Sequence, residues 1–135
     1  RFEAGTPAIA EAIGLAAALD YLTRLDRARI HAHEQILLAH ATDRLSAIPG
    51  LVLHGTAKDK GAILSFNITG AHPQDIGILV DQQGIAVRVG HHCCMPLMDH
   101  LGLPGTCRAS LGLYNTLDEV DALTTALTKA AGLLA

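Results

Sequence analysis

Ala86–Ser110 reads AVRVGHHCCMPLMDHLGLPGTCRAS, and it holds all three cysteines of the chain and three of its eight histidines. Both ends of the stretch alternate. Ile85, Val87 and Val89 fall on one side and Ala86 and Arg88 on the other. Beyond the loop, Cys107, Ala109 and Leu111 oppose Arg108, Ser110 and Gly112. A period of two marks a half-buried strand, because successive side chains point to opposite faces of a sheet. Two such strands around one long loop predict an apolar inner face and an outer face that carries Arg88 and Arg108. Cys93 sits on the loop between them.

Working outward, TPAIAEAIGLAAALDYLTRL has Thr6 as a predicted N-cap and Pro7 as a predicted first helical residue. The helix that follows is apolar almost all round, a pattern normally buried on several sides. It therefore implies a partner surface. A second helix is predicted over residues 26–48, with Ile30, Leu37, Leu38, Ala41, Leu45 and Ile48 at helical spacing and Pro49-Gly50 as its stop. Leu51 to His54 and AILSFNI read as strands joined by the hairpin loop GTAKDKG. His72-Pro73 opens a third helix, and Thr116 caps a last one with Val120, Leu123, Leu127, Ala130 and Leu134 in one stripe. The order α-α-β-β-α-β-β-α predicts an α/β chain of the α+β type. Its expected form is a small, mainly antiparallel sheet of three or four strands with helices packed on one face.

Composition narrows the function. The chain has 135 residues, 50% hydrophobic and 17% charged, which fits one globular domain over 1–135. A net charge of −3, 3% aromatics and scattered Arg and Lys give no basic stripe, so nucleic acid is not an expected partner. No apolar run approaches the roughly 20 residues that span a bilayer, so no membrane partner is expected either. The opening RFEAGTP lacks a Met and reads as a cut into a longer protein. Three cysteines, two of them adjacent, argue against a disulfide framework and for a reducing, cytoplasmic setting.

The loop itself leaves three readings open. His91, His92, Cys93 or Cys94, and Cys107 supply zinc-ligand atoms, but four consecutive side chains converge poorly on one tetrahedral ion, and no metal is expected. Cys107 alternates with core residues and reads as a small buried hydrophobe. Cys94 is ambiguous. His31, His33, His40 and His54 read as surface or capping residues. Cys93 has Arg88 and Arg108 on the flanking strands. Thiolate is the nucleophilic form of cysteine and nearby cations favour it, while an arginine fork suits a carboxylate. That pattern suits a reactive thiol beside a carboxylate site.

RVGHHCCMPLM resembles the active-site loop of group II, SufS/CsdA-type cysteine desulfurases, Arg-x-Gly-His-His-Cys-x-x-Pro. CRASLGLYNT is similar to the strand that follows it, and RFEAGTP to the segment that opens their C-terminal region. The resemblance runs over nearly the whole chain. It implies the small C-terminal domain of a fold-type I pyridoxal-phosphate enzyme that works as a homodimer. Such enzymes convert L-cysteine to L-alanine and leave a persulfide on the loop cysteine, and some act on selenocysteine. The persulfide then serves iron-sulfur cluster assembly through a SufE/SufU-type acceptor.

Carried over residue by residue, the resemblance gives Cys93 the persulfide position and Arg108 the substrate carboxylate. It puts Arg88 at the root of the loop beside the substrate. Thr6 with Gly5 would reach the cofactor phosphate of the partner subunit. Residues 1–25 would be a connecting helix that packs on a large domain. The family's cofactor lysine has no counterpart, since Lys58, Lys60 and Lys129 lie in other contexts. The fragment alone is therefore expected to be inactive and to bind no pyridoxal phosphate. Cys94 departs from the small residue common in relatives and is a candidate alternative sulfur acceptor or oxidation partner. Two readings compete: a stand-alone sulfur-carrier module using Cys93, and a small His/Cys metal-binding domain.

Overall fold

The structure, a computed structural model, describes residue 2 and residues 4–134, so Arg1 and Glu3 of the RFEAGTP segment lie outside the described residues. The elements run α1 (Ile9–Thr23), α2 (Arg27–Ser46), β1 (Leu51–His54), β2 (Ile63–Ile68), α3 (Pro73–Asp81), β3 (Arg88–Gly90), α4 (Met95–Leu101), β4 (Thr106–Ser110) and α5 (Leu117–Leu134). The chain divides into two compact units, Arg1–Ala32 and His33–Ala135.

In the first unit, α1 starts later than the sequence suggests. Ala8 is its N-cap and makes no side-chain capping bond. Pro7 stays outside the helix, its carbonyl taking the Ile9 N–H in a tight turn (2.9 Å), and Ala8 rather than Thr6 is the N-cap. No residue of α1 is buried, and Ile9, Ile13, Leu15 and Leu19 are all more than half exposed. Asp26 begins α2 by accepting the Ala28 and Arg29 N–H groups at 3.0 and 3.2 Å, which satisfies two of the free donors of a first turn.

In the second unit, the four strands form one antiparallel sheet in the order β1-β2-β4-β3. The register pairs Leu53 with Phe66 and Phe66 with Cys107, so these side chains share the inner face. Leu64, Phe66 and Ile68 alternate with exposed or half-buried neighbours. They meet Leu37, Ala41 and Leu45 of α2, Ile76 and Val80 of α3, and Val120, Leu123 and Leu127 of α5 in one core. Phe66 is fully buried, and burial of a side chain of that class contributes roughly 1.5–3 kcal/mol. At Gly77 of α3, an added Cβ would stand 2.5 Å from Val89 Cγ2, so only glycine lets α3 lie this close to β3.

Two helix ends follow the sequence closely. His72 caps α3 through Nδ1, which accepts the Gln74 N–H at 3.2 Å. Thr116 Oγ1 accepts the Glu119 N–H (3.2 Å) while Glu119 Oε2 accepts the Thr116 N–H (2.9 Å), a reciprocal capping box at the head of α5.

Two elements differ from expectation. The alternating run 85–90 pairs only over Arg88–Gly90, although Ile85, Val87 and Val89 do pack on the core. The loop after it is half helical. In α4, buried Met98 lies outside the inner core, and Leu97, Met98 and Leu101 share a pocket wall with Ser65 and Arg108 of the outer face.

Candidate active site

The β3–β4 ladder builds the site. It pairs Arg88 with Arg108, Val89 with Cys107 and Gly90 with Thr106. Val89 and Cys107 therefore point inward, and Arg88, Arg108 and Thr106 outward. The close end of the ladder depends on glycine. A Cβ on Gly105 (φ +150) would come within 3.1 Å of the Gly90 backbone. The Asn67 side chain ties the same point to β2 by donating to the Gly105 carbonyl at 2.9 Å.

Beyond Gly90 the chain turns sharply. The Cys94 N–H donates to the His91 carbonyl at 3.0 Å, closing a four-residue turn. Its central residues, His92 and Cys93, have φ of 55 and 61. Two successive positive φ values are the mark of a type I′ turn, normally occupied by Asn and Gly. In an L-residue with a Cβ the left-handed conformation costs roughly 1–2 kcal/mol. The turn bond and a pair of contacts from His92 oppose that strain, at about 1 kcal/mol net for each bond. His92 Nε2 lies 2.9 Å from Thr106 Oγ1 and 3.1 Å from the Thr106 carbonyl.

The electrostatics are lopsided. Arg88 Nη2 lies 3.7 Å from Cys93 Sγ, within hydrogen-bonding reach of a sulfur acceptor. Among the described residues, the carboxylate–cation contacts within 4.0 Å are those of Asp121 with His40 and Arg44. Arg88 and Arg108 therefore face each other without a carboxylate. Arg108 Nε and His92 Nδ1 are both buried atoms with no hydrogen-bond partner among the described residues. Burial holds the His92 imidazole below its ordinary pKa; the Thr106 carbonyl opposes this, and the electrostatic effects of Arg108, Arg88 and His91 reinforce it. An unmatched pair of guanidinium groups with an orphaned N–H is suited to an anion such as a carboxylate.

Arg108 also lines a pocket of about 640 Å³, together with Ser65, His91, His92, Cys94 and the apolar side of α4. The three cysteines separate clearly. Cys93 and Cys94 are exposed and free. Cys107 is fully buried and donates its S–H to the Pro73 carbonyl at 3.2 Å. Burial pushes its pKa up to about 12, so at neutral pH it stays a thiol. Among the described residues, no group of three or more His, Cys, Asp or Glu side chains is placed to hold a metal ion.

Of the residues singled out in the sequence, Arg88 links the others on the outer face of the second unit: its Nη2 lies by Cys93 Sγ and it pairs with Arg108 across the ladder, while Cys94 rather than Cys93 lines the pocket with Arg108. Gly5 and Thr6 belong to the first unit, where both are exposed in the bend before α1. Sequence reasoning weighed His92 only as a metal ligand and missed Thr106. Alternation puts Thr106 on the outer face with Arg108, but nothing in it signals that Thr106 would be 1% exposed there.

The site belongs to a stretch with many counterparts. The aminotransferase class-V family model matches residues 1–123. The chain is 49% identical over 134 residues to a probable cysteine desulfurase of Xylella fastidiosa, covering 99% of this chain and 32% of that protein. It is 48% identical to a cysteine desulfurase of Salmonella agona, covering 99% of this chain and 33% of the other. The chain thus spans about a third of the length of the curated relatives it matches.

Solved structures agree. The cysteine desulfurase CsdA of Escherichia coli, in an S-sulfonic acid form, matches with a TM-score of 0.91 at 40% identity, over 98% of this chain and 33% of that one. The apo cysteine desulfurase of Thermococcus onnurineus matches with a TM-score of 0.90 at 39% identity, over 99% and 34%.

Proposed function

The chain belongs to the aminotransferase class-V family, and on that premise we propose that it is the small C-terminal domain of a cysteine desulfurase. Cys93 is its sulfur-accepting nucleophile. In this reading residues 1–135 form that domain, with residues 1–25 as the helix connecting it to a larger one. The observation that carries the reading is Cys93 itself: an exposed thiol at the apex of a strained turn, with Arg88 Nη2 at 3.7 Å and Arg108 across the ladder.

The chain's own residues then divide the work. Arg108 takes the substrate carboxylate in its planar fork, which fixes the amino acid relative to the loop. Cys93 attacks the substrate sulfur as thiolate. A sulfur–sulfur bond forms, the carbon–sulfur bond breaks, and the carbon ends with a proton as L-alanine. The sulfur remains on Cys93 as a persulfide, so the exchange needs no outside oxidant. Splitting the reaction at a covalent intermediate replaces one hard step with two easier ones. Arg88 Nη2 stays within hydrogen-bonding reach of the sulfur.

Pyridoxal phosphate is the cofactor that the family resemblance implies, and the residues present do not by themselves fit it. None of Lys58, Lys60 and Lys129 lines the pocket that holds Arg108 and Cys94. Lys60 Nζ instead donates to the Gly55 carbonyl at 2.9 Å. Gly5 and Thr6 are proposed to meet the cofactor phosphate of a second subunit in a homodimer. The persulfide is proposed to pass to a SufE/SufU-type acceptor in the cytoplasm for iron-sulfur cluster assembly. No helix among the described residues is long and apolar enough to cross a membrane.

The test is mass spectrometry of the complete protein after a single turnover with L-cysteine. One extra sulfur on Cys93 is expected. Extra sulfur on Cys94 or Cys107 with Cys93 unmodified overturns the assignment.

A further inference from the structure

His92 stands next to Cys93, and the desulfurase reading gives it no task. The Thr106 carbonyl can only accept a hydrogen bond, so His92 Nε2, 3.1 Å away, carries the hydrogen. Nδ1 is then a bare lone pair in the neutral ring, buried and without a partner. Among the described residues, all of the ring's hydrogen bonding runs through Nε2 to Thr106. Thr106 pairs with Gly90 and lies two residues from Arg108 on the same face. The bond therefore reaches from the strained turn to the strand that carries the carboxylate-binding arginine. Without it, the turn must hold two residues at positive φ on its own closing bond, from Cys94 to His91. Backbone strain of this kind persists only where surrounding structure enforces it, and it gathers at functional sites.

We infer that His92 is a positioning residue: its clasp on Thr106 holds the left-handed turn that presents Cys93 beside Arg88 and in register with Arg108. The inference rests on Cys93 being the sulfur acceptor, but the clasp can be tested apart from that chemistry.

Three variants of the complete protein separate the possible roles. His92→Gln keeps a donor at about the reach of Nε2 and loses Nδ1. His92→Asn favours positive φ but is too short for Thr106. His92→Ala loses both. The first readout is competition between Cys93 and Cys94 for limiting iodoacetamide, followed by peptide mass spectrometry. The second is kcat and KM for L-cysteine.

With the clasp broken, in Asn and Ala, the labelling preference between the two thiols shifts severalfold. In the same variants kcat falls by about tenfold or more with KM little changed, since small misplacements of a reacting group cost that much. Gln stays near wild type in both readouts. An Asn variant at wild-type level would show that turn conformation alone matters and overturn the clasp. A Gln variant as poor as Ala would place the role on Nδ1 and also overturn it. If the wild-type protein turns over no cysteine, the desulfurase reading fails, while the labelling series still decides whether His92 sets the position of Cys93.

Discussion

Arg88 and Arg108 are direct cross-strand partners on β3 and β4, both on the outer face, and neither has a carboxylate within 4.0 Å among the described residues. Like charges placed opposite each other in a sheet are destabilising by roughly 0.2–1 kcal/mol. The arrangement makes sense where an anion completes it.

Arg108→Ala is therefore expected to leave folding stability unchanged or raise it slightly. In the complete enzyme it should reduce use of cysteine by about 2–5 kcal/mol in kcat/KM, the size of a broken buried charge pair. Arg108→Lys should also be impaired, because an ammonium cannot reproduce the planar fork. Urea unfolding and steady-state kinetics on the same variants check both halves. A lysine variant with full catalytic efficiency would remove Arg108 from the carboxylate.

Cys107 gives a prediction in alkaline solution. Its pKa is raised from 9.0 to about 12 by burial, so above pH 9 the unfolded chain releases a proton that the native chain keeps. Stability that is fully present below pH 9.0 should thus be lost progressively toward pH 12. Cys107→Ala should lower stability at neutral pH, through lost packing and the lost bond to Pro73, and should flatten this alkaline decline. Chemical denaturation at stepped pH values measures both.

The capping box of α5 gives the acid counterpart. The Asn115 amide, 3.1 Å from Glu119 Oε2, and then the Thr116 N–H hold the Glu119 carboxyl below its ordinary 4.5. A depressed carboxylate stabilises the fold above pH 4.5, and the contribution fades as pH falls through that value and below. Glu119→Gln should weaken this acid dependence, and Thr116→Ala should cost about 1 kcal/mol at neutral pH. Thermal unfolding at pH values that bracket 4.5 reads out the difference.

Most of the second unit was legible because its signals are local. β2 alternates Leu64, Phe66 and Ile68 against polar neighbours, and α3 and α5 each begin with a capping residue visible in the sequence. The misses depended on distant partners or unusual backbone. His33 and His40 read as surface or capping residues, yet His33 bonds the Asn115 carbonyl and His40 bonds Asp121, each more than 80 positions away. The seven residues of α4 are too few for a helical period to show. The turn at His92 and Cys93 carries no Asn or Gly, so its left-handed backbone had no sequence signal. Within the site, the placement of Cys93 on a loop and of both arginines on the outer face was readable from strand alternation, while the contact of His92 with Thr106 was not.

With no buried residue in α1 and with Ile13 67% exposed, the chain on its own should associate as concentration rises. Sedimentation velocity over a concentration series should show this. Replacing Ile13 and Leu19 by Asp should suppress it without lowering the unfolding midpoint. A monomer at all concentrations would count against an unpartnered α1.

Cys93 should be the thiol that matters among the three. Cys107 is shielded in the core and un-ionised at neutral pH, so it should label only when the protein unfolds. Cys94 is as free as Cys93, but Arg88 Nη2 stands by Cys93 Sγ alone. The Arg88 N–H is a donor aimed at the Cys93 sulfur, and the thiolate is the form that reacts with an alkylating agent. Under limiting iodoacetamide, label should therefore collect on Cys93 first, and Arg88→Ala should narrow its lead over Cys94. In the complete enzyme, Cys93→Ala should abolish persulfide formation and sulfur transfer to the acceptor while leaving cofactor binding intact. Cys94→Ala should leave both in place. A Cys93→Ala enzyme that still delivers sulfur, with the added sulfur found on Cys94, would move the nucleophile by one residue and with it the purpose of the strained turn.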